Sequence, residues 1–534
     1  MDRIFKKIRR SYMRLLGMAL RRPGIVAGIF ILLLAGTVLI FSRIPHEYTP
    51  KEDRGAFNIM VNGPEGASFS YMEEYMDEIE RRLLPYTEGG EIKTMLVRAP
   101  RGFGASAAFN SGMVITVLDD WSRRRPATEI MNEIRAKFSD LPGVRISIVM
   151  RQGFVSSSSR PVQFVIGGGT YEQLAQWRDI LLAKIEENNP GLMGIDWNYK
   201  ETKPQFEVLI DYDRAAEMGV TVSAIGRTLE TMMGSRRVTT YIDSGEEYDV
   251  IVEGERDEQR TRTSLENVYV RSERSGALIP LSSLVRVEEF ADATSLSRYN
   301  RVRAITLEAD LAEGYTLGAA LDYLEDLARA NLPDNVIIDY KGQSQDFKYS
   351  QGSMAFIFLL GLLVVFLVLA GQFESYVHPL VIILTVPLAM AGGLLGLYAS
   401  GGTLNIYSQI GLLALVGLAA KNGILIVEFA NQIRDAGGSF NRALLKSAQI
   451  RLRPILMTSL TAASGAIPLI FSSGAGAETR SVIGVVVFAG VLSAALFTIF
   501  VVPVAYSLLC RKTGSPHDVA RRLEREEREA GGLS

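Results

Sequence analysis

LALVGLAAKNGILIVEFA, residues 413–430, is the stretch on which the reading of this chain turns. With its flanks it forms an apolar run at 404–430, long enough to cross about 30 Å of hydrocarbon. Lys421 stands in its middle. An ammonium buried at that depth costs at least about 2.5 kcal/mol, so it calls for a carboxylate partner. Glu428, one heptad further on, shares nearly the same helical face, but it lies about 10 Å along the axis and closer to the rim. No aspartate occurs in any of the chain's apolar runs. The stretch therefore predicts a membrane lysine in a proton or ion relay whose acid comes from another set of helices. The plainer alternative, a lysine reaching headgroups from near a helix end, sits poorly with the long apolar flanks. Asn422 faces about 100° away and reads as a tie between helices. Thr458, a heptad beyond Arg451 and on about the same face, reads first as a threonine satisfying its own i−4 carbonyl, and second as a relay member.

Outward from this stretch, further runs of near-spanning length fall at 25–44, 354–373, 379–400, 455–473 and 481–509, giving six predicted spans in all. Arg3, Lys6, Lys7, Arg9, Arg10, Arg14, Arg21 and Arg22 precede the first run, which places the N-terminus in the cytoplasm by the positive-inside rule. Counting alternately, the basic link 431–454 falls inside, the links 401–403 and 474–480 fall outside, and the charged tail with RRLEREERE (521–529) falls inside again. Residues 1–24 intersperse Ile4, Phe5, Ile8, Leu15 and Leu16 among the cations, the pattern of an amphipathic helix lying on lipid. The flanking RIPHEYTP (43–50) lacks a small-residue cleavage site, so the first span is expected to be retained.

Composition limits the chemistry. The 534 residues are 48% hydrophobic and 22% charged with a net charge of −2, which suits a protein divided between lipid and water and gives no electrostatic case for a nucleic-acid partner. A single cysteine, Cys510, excludes an internal disulfide framework and a thiolate zinc cluster. His46, His378 and His517 are far apart and form no ligand pair, and no GxxxxGK[ST] string exists to hold ATP phosphates. No convincing nucleophile–base pair supports a membrane hydrolase.

Some 300 residues between the first two spans alternate by period. Strand, helix, strand, strand, helix, strand are expected at 55–63, 68–84, 91–98, 112–118, 127–139 and 144–150, the split βαβ order. The order repeats with 161–167, 171–187, 192–199, 303–311, 316–330 and 335–340, interrupted by a β-rich insert of about 100 residues containing RVTTYIDSGEEYDVIVEGE (237–255). The fold class is thus an α+β membrane protein. In the first copy, RAPRGFGASAAFNSG (98–112) joins two strands with pliable glycines and exposed aromatics. It reads as an ordinary surface loop with Phe103 tucked inward, or as a segment sweeping over a greasy ligand. Eleven methionines between Met60 and Met233 lack clustered spacing and read as core packing rather than soft-metal ligands.

GLAAKNGILIVEFANQ (417–432), RLRPILMTSLTAASGAIPLIFSSGAG (451–476) and FVVPVAYSLL (500–509) resemble the C-terminal half of resistance-nodulation-division (RND) efflux permeases, acriflavine-resistance branch. IPHEYTPKEDRGAFNIMVNGPEGAS (44–68) is similar to the exit from that half's first helix, GFGASAAFNSGMVITVLDDW (102–121) to its switch loop, and VLIDYDRAAEMGVTVSAIGRTL (208–229) to the entry of its docking subdomain. The resemblance implies a cytoplasmic helix at 1–24 and a first span at 25–44, then ferredoxin-like porter subdomains at 45–155 and at 156–212 with 298–345, split by a docking insert at 213–297. Five further spans at 350–510 and a charged tail at 511–534 complete it. It further implies a trimer in the bacterial inner membrane, with a large periplasmic region, that exports small hydrophobic or amphiphilic compounds by drug/proton antiport. A periplasmic adaptor and an outer-membrane channel would complete the pump, and the energy source would be the proton motive force rather than a cofactor. Lys421, Thr458, Arg451 and Asn422 would form the proton relay, and Gly102, Phe103 and Gly104 the substrate switch loop. Ala105 stands where close relatives often carry a second aromatic. The family's aspartate pair, borne by an N-terminal half, is absent here, so either a fragment or a half-length subunit needing that half as partner is expected. A heavy-metal exporter of the same superfamily is the nearer alternative. A protein-export auxiliary would carry an aspartate in its fourth span and no insert.

Overall fold

The computed structural model describes residues 2–50, 52–102, 108–151, 160–255, 265, 267–312, 314–511, 513 and 526. Helix α1 (Asp2–Arg21) is followed at once by α2 (Pro23–Arg43), whose first-turn proline needs no backbone donor and presets the helical φ. At 21 residues α2 is about 30 Å long, and none of its residues is buried in the chain.

The first repeat runs β1 (Ala56–Asn62), α3 (Phe69–Glu88), β2 (Ile92–Arg98), β3 (Ser111–Leu118), α4 (Ala127–Lys137) and β4 (Arg145–Met150). Its antiparallel sheet has the order β2-β3-β1-β4. Ser68 starts α3 by accepting a hydrogen bond from Tyr71 N–H. Met72, Met76, Ile79 and Leu83 then form an i, i+4, i+7, i+11 stripe that packs on Phe57, Ile59 and Val61 of β1. Gly112 leaves room for this stripe, because a Cβ would stand 2.3 Å from Met76 Sδ and the methionine would have to shift. Met72, Met76 and Met131 thus serve as core.

The second repeat opens with β5 (Val162–Gly167), α5 (Tyr171–Glu187) and β6 (Leu192–Trp197). There the chain departs into a separate compact unit, Tyr199–Leu296, which takes in residues 199–212 that the sequence assigns to the repeat. This unit holds β7 (Lys203–Ile210), α6 (Tyr212–Glu217), α7 (Val222–Gly234), β8 (Arg236–Asp243), β9 (Glu246–Val252), β10 (Tyr269–Arg271), β11 (Leu278–Pro280) and β12 (Val285–Asp292). Its start moves forward because β7 pairs along its length with β12 and so belongs to the insert. Its core is built on Val220, Ile225, Val270, Leu281 and Leu284.

The repeat then resumes with β13 (Arg298–Tyr299), β14 (Val302–Leu311), α8 (Leu317–Asn331) and β15 (Ile337–Tyr340). β14 lies between β5 and β6, and β15 pairs β5, so the main strands take the same order as in the first copy. Thr170 closes a capping box with Gln173, and Thr316 caps α8. The sheet faces turned from the helices meet through polar groups: Ser147 donates to Asp310 at 3.0 Å, Arg145 pairs Asp196 at 3.0 Å, and the buried Arg160 lies 3.7 Å from Asp310. Burial pushes the Glu308 and Asp310 carboxyls above the usual range, with Arg160 acting against it.

The chain ends in helices: α9 (Gly342–Phe373), α10 (Val377–Ile383), α11 (Thr385–Ala399), α12 (Ile406–Asp435), α13 (Phe440–Ile470) and α14 (Ala477–Leu509). Among the described residues five helical segments are long and apolar enough to cross a membrane, counting α10 with α11 as one, where the sequence predicts six. The difference is α13. Its first half carries Arg442, Lys446, Arg451 and Arg453, and its second half is diluted by Thr458, Ser459, Thr461 and Ser464. It still packs on α12 and α14, burying Leu452, Ile455 and Ala463. α1 packs on the chain itself: Tyr12 and Leu16 are buried in a cluster with residues of α12, α13 and α14, and Tyr12 Oη donates to Ile499 O at 2.9 Å.

Candidate functional site

Two helices carry the predicted membrane residues. α12 begins with Asn405, whose side chain accepts from Tyr407 and Ser408 N–H while Ser408 returns a bond to the Asn405 backbone. From there α12 turns Leu412, Leu415, Ala419, Ala420, Gly423 and Ile426 inward and leaves Ile410, Ala414, Gly417, Leu418 and Lys421 as an exposed stripe. Lys421 is therefore mid-helix on an open face, not enclosed by this set of helices. Its exposure differs from the buried lysine of the sequence reading because none of the described helices covers it. Among the described residues no carboxylate pairs with it. Glu428 instead accepts from Gln432 at 3.0 Å.

Asn422 is buried and donates to Ser459 Oγ of α13 at 3.1 Å, so it ties the two helices. That bond sets their register and puts Lys421 and Thr458 each next to one of its members. Thr458 Oγ1 donates to Ile455 O at 3.3 Å, one residue short of the i−4 carbonyl expected. About a heptad further along both helices, the Arg451 guanidinium lies 4.4 Å from the centre of the Phe429 ring, and its buried Nε has no hydrogen-bond partner. No hydrogen bond or ion pair joins Lys421, Thr458 and Arg451 to one another among the described residues. Ser459 and Phe429 were not legible as site residues: Phe429 is one more apolar residue of its run, and the pairing depends on the antiparallel register. Beyond them, Tyr506 donates to Asn431 at 2.6 Å and receives a bond from Arg434 at 2.8 Å.

At the other end of α12, the chain leaving α2 runs beside its start. Glu47 N–H donates to Leu404 O, Leu404 N–H to Pro45 O, and Ile406 N–H to Tyr48 O. Buried Glu52 pairs Arg54 beside Tyr407. Asp53 takes both guanidinium nitrogens of Arg124 at 2.7 and 2.8 Å and also Ala127 N–H at 2.9 Å, capping α4 from a distance. Burial opposes the charge on Asp53, but these bonds together with Gly55 N–H hold its carboxyl below the usual range. Of the loop residues, Gly102 is exposed at a bend, while Phe103 and Gly104 lie outside the described residues.

The profile of the AcrB/AcrD/AcrF family matches residues 1–510. The chain belongs to that family. Among curated relatives of this AcrB/AcrD/AcrF member, an uncharacterised transporter of Haemophilus influenzae is 33% identical over 89% of this chain and 47% of its own length. The multidrug/solvent efflux pump membrane transporter MepB of Pseudomonas putida is 31% identical over 96% of this chain and 49% of its own. The multidrug export protein AcrF of Escherichia coli is 30% identical over 94% and 49%. The chain thus spans about half the length of the curated relatives it matches. Family membership and the long apolar helices together make it a membrane protein, and the relatives MepB and AcrF are named as efflux and export proteins.

Proposed function

We propose that this chain is one half of a proton-driven RND multidrug efflux transporter, corresponding to the C-terminal half and working with an N-terminal half that supplies the acid for Lys421. In this reading α13 is the sixth span, both termini are cytoplasmic, and the two repeats are ferredoxin-like porter subdomains facing the periplasm, with the insert for docking. Three such pairs assemble as a trimer, meeting an adaptor and an outer-membrane channel. The observation that carries the reading is the unpaired cation halfway along α12, on a stripe with Ala414 and Gly417 where foreign helices can approach closely. Protonation of the partner's carboxylate would release Lys421 and let one helical set shift against the other. The α12 end that touches the extended segment 45–48, and through Asp53 the start of α4, supports a route from that shift to the first repeat.

Cells expressing this chain with and without an N-terminal half test it by drug accumulation. The pair should export hydrophobic drugs and lose export with Lys421→Ala while keeping its assembly. Full export by the lone chain, or by the Lys421→Ala pair, would overturn the proposal.

A further inference from the structure

α1 presents three faces rather than two. Phe5, Tyr12 and Leu16, at i, i+7 and i+11, turn to the helical bundle, with Met13 and Leu20 at the margin. Arg453 of α13 stacks on Phe5 at 5.6 Å, and Tyr12 meets Phe500 edge-on at 5.5 Å. These contacts fix the rotation of α1 about its own axis. The rotation leaves two exposed faces side by side. One carries Lys7, Arg10, Arg14 and Arg21 at i, i+3, i+7 and i+14, with Lys6 alongside. The other carries Ile8, Leu15 and Met18 at i, i+7 and i+10, each exposed by 46–57%. Among the described residues none of these cations has an ion-pair partner.

Such a pair of faces suits only an occupant that is negative on one side and greasy on the other. The depth of α1 is also set: α1 ends at Arg21 and α2 begins at Pro23, so its C-terminal turn sits where an apolar helix about 30 Å long enters the bilayer. We infer that α1 is a binding surface for anionic phospholipids of the leaflet at which α2 begins. The headgroup phosphates lie along Lys7, Arg10, Arg14 and Arg21, and the upper acyl carbons lie against Ile8, Leu15 and Met18. Cationic stems suit this boundary, since their methylenes lie in the apolar layer while the charges reach phosphate. The chain's own tail is a poor rival occupant: residues 514–534 carry five acidic residues against four arginines, too little net charge to neutralise the row.

The proposal rests on α2 spanning the membrane and not on transport, so it is tested without a transport assay. The full chain, purified in neutral detergent, is titrated with phosphatidylglycerol, phosphatidylcholine or inorganic phosphate. Retained lipid is read by native mass spectrometry, and the unfolding midpoint is followed in parallel. Phosphatidylglycerol should be retained and raise the midpoint, phosphatidylcholine should do so far less, and free phosphate not at all. Replacing Lys7, Arg10, Arg14 and Arg21 together by Gln should weaken phosphatidylglycerol retention at least about tenfold, and the midpoint without lipid should stay as it was because all four side chains are exposed. A chain ending at Thr513 should respond as the full chain does. Equal retention of the two lipids, undiminished retention by the four-Gln chain, or a gain in retention on removing the tail would overturn the inference.

Discussion

Arg124 and Lys421 are two cations of the same chain, one buried outside the helical bundle and one on the bundle's outer face, and they are treated oppositely. Arg124, with its side chain 1% exposed, is held by both oxygens of Asp53, which in turn caps α4. Lys421 has no acid among the described residues and projects from an open helical face. A folded unit that must stand alone closes its charges internally, because an unpaired buried ion costs several kcal/mol. A surface waiting for another element can leave a charge uncompensated. Arg451 is intermediate, with an aromatic face in place of a carboxylate.

The largest test of the contrast is Asp53→Ala. Leaving Arg124 buried without its partner and α4 without its cap should cost about 3–5 kcal/mol in denaturant melts of the full chain; a loss below about 1 kcal/mol would remove one side of the comparison. The same pair has a pH signature. The Asp53 carboxyl titrates below its ordinary value when folded, so its contribution is full above the unfolded value near about 4 and is lost as pH falls through the folded one. Glu308 and Asp310 titrate above theirs, so their contribution is full below that value and is lost as pH rises through the folded ones. Asp53→Asn should flatten the profile below the ordinary carboxylate value, and Glu308→Gln with Asp310→Asn should flatten it above that value.

Phe429→Leu sharpens the intermediate case. If the ring holds the Arg451 guanidinium, the helix pair should lose about 1 kcal/mol and Phe429→Tyr should restore it, whereas a purely apolar role for the ring predicts little loss in Leu. Smallest is Lys421→Met in the lone chain. A residue with nothing to pair should change the unfolding midpoint by no more than about 0.5 kcal/mol equivalent, and a large loss would reveal an acid within this chain and erase the contrast.

The strand and helix order of both repeats was legible because Ser68, Thr170 and Thr316 mark helix starts and the strands alternate with helical stripes such as Met72, Met76 and Ile79. The beginning of the insert was not, because the pairing of β7 with β12 joins residues some eighty positions apart and leaves no local mark. α13 is less apolar than the other five long helical segments for a related reason: a helix that buries Leu452, Ile455 and Ala463 against neighbours need not be greasy all round.

Sequence alone determined that Lys421 stands in an apolar run with no acid in reach, since charge and spacing are properties of the string. Only the tertiary structure decided that the lysine lies on an open face, that Asn422 reaches Ser459, and that Arg451 rests on Phe429. Which side of a helix is covered depends on where other helices pack, and packing brings together residues whose separation along the chain carries no signal.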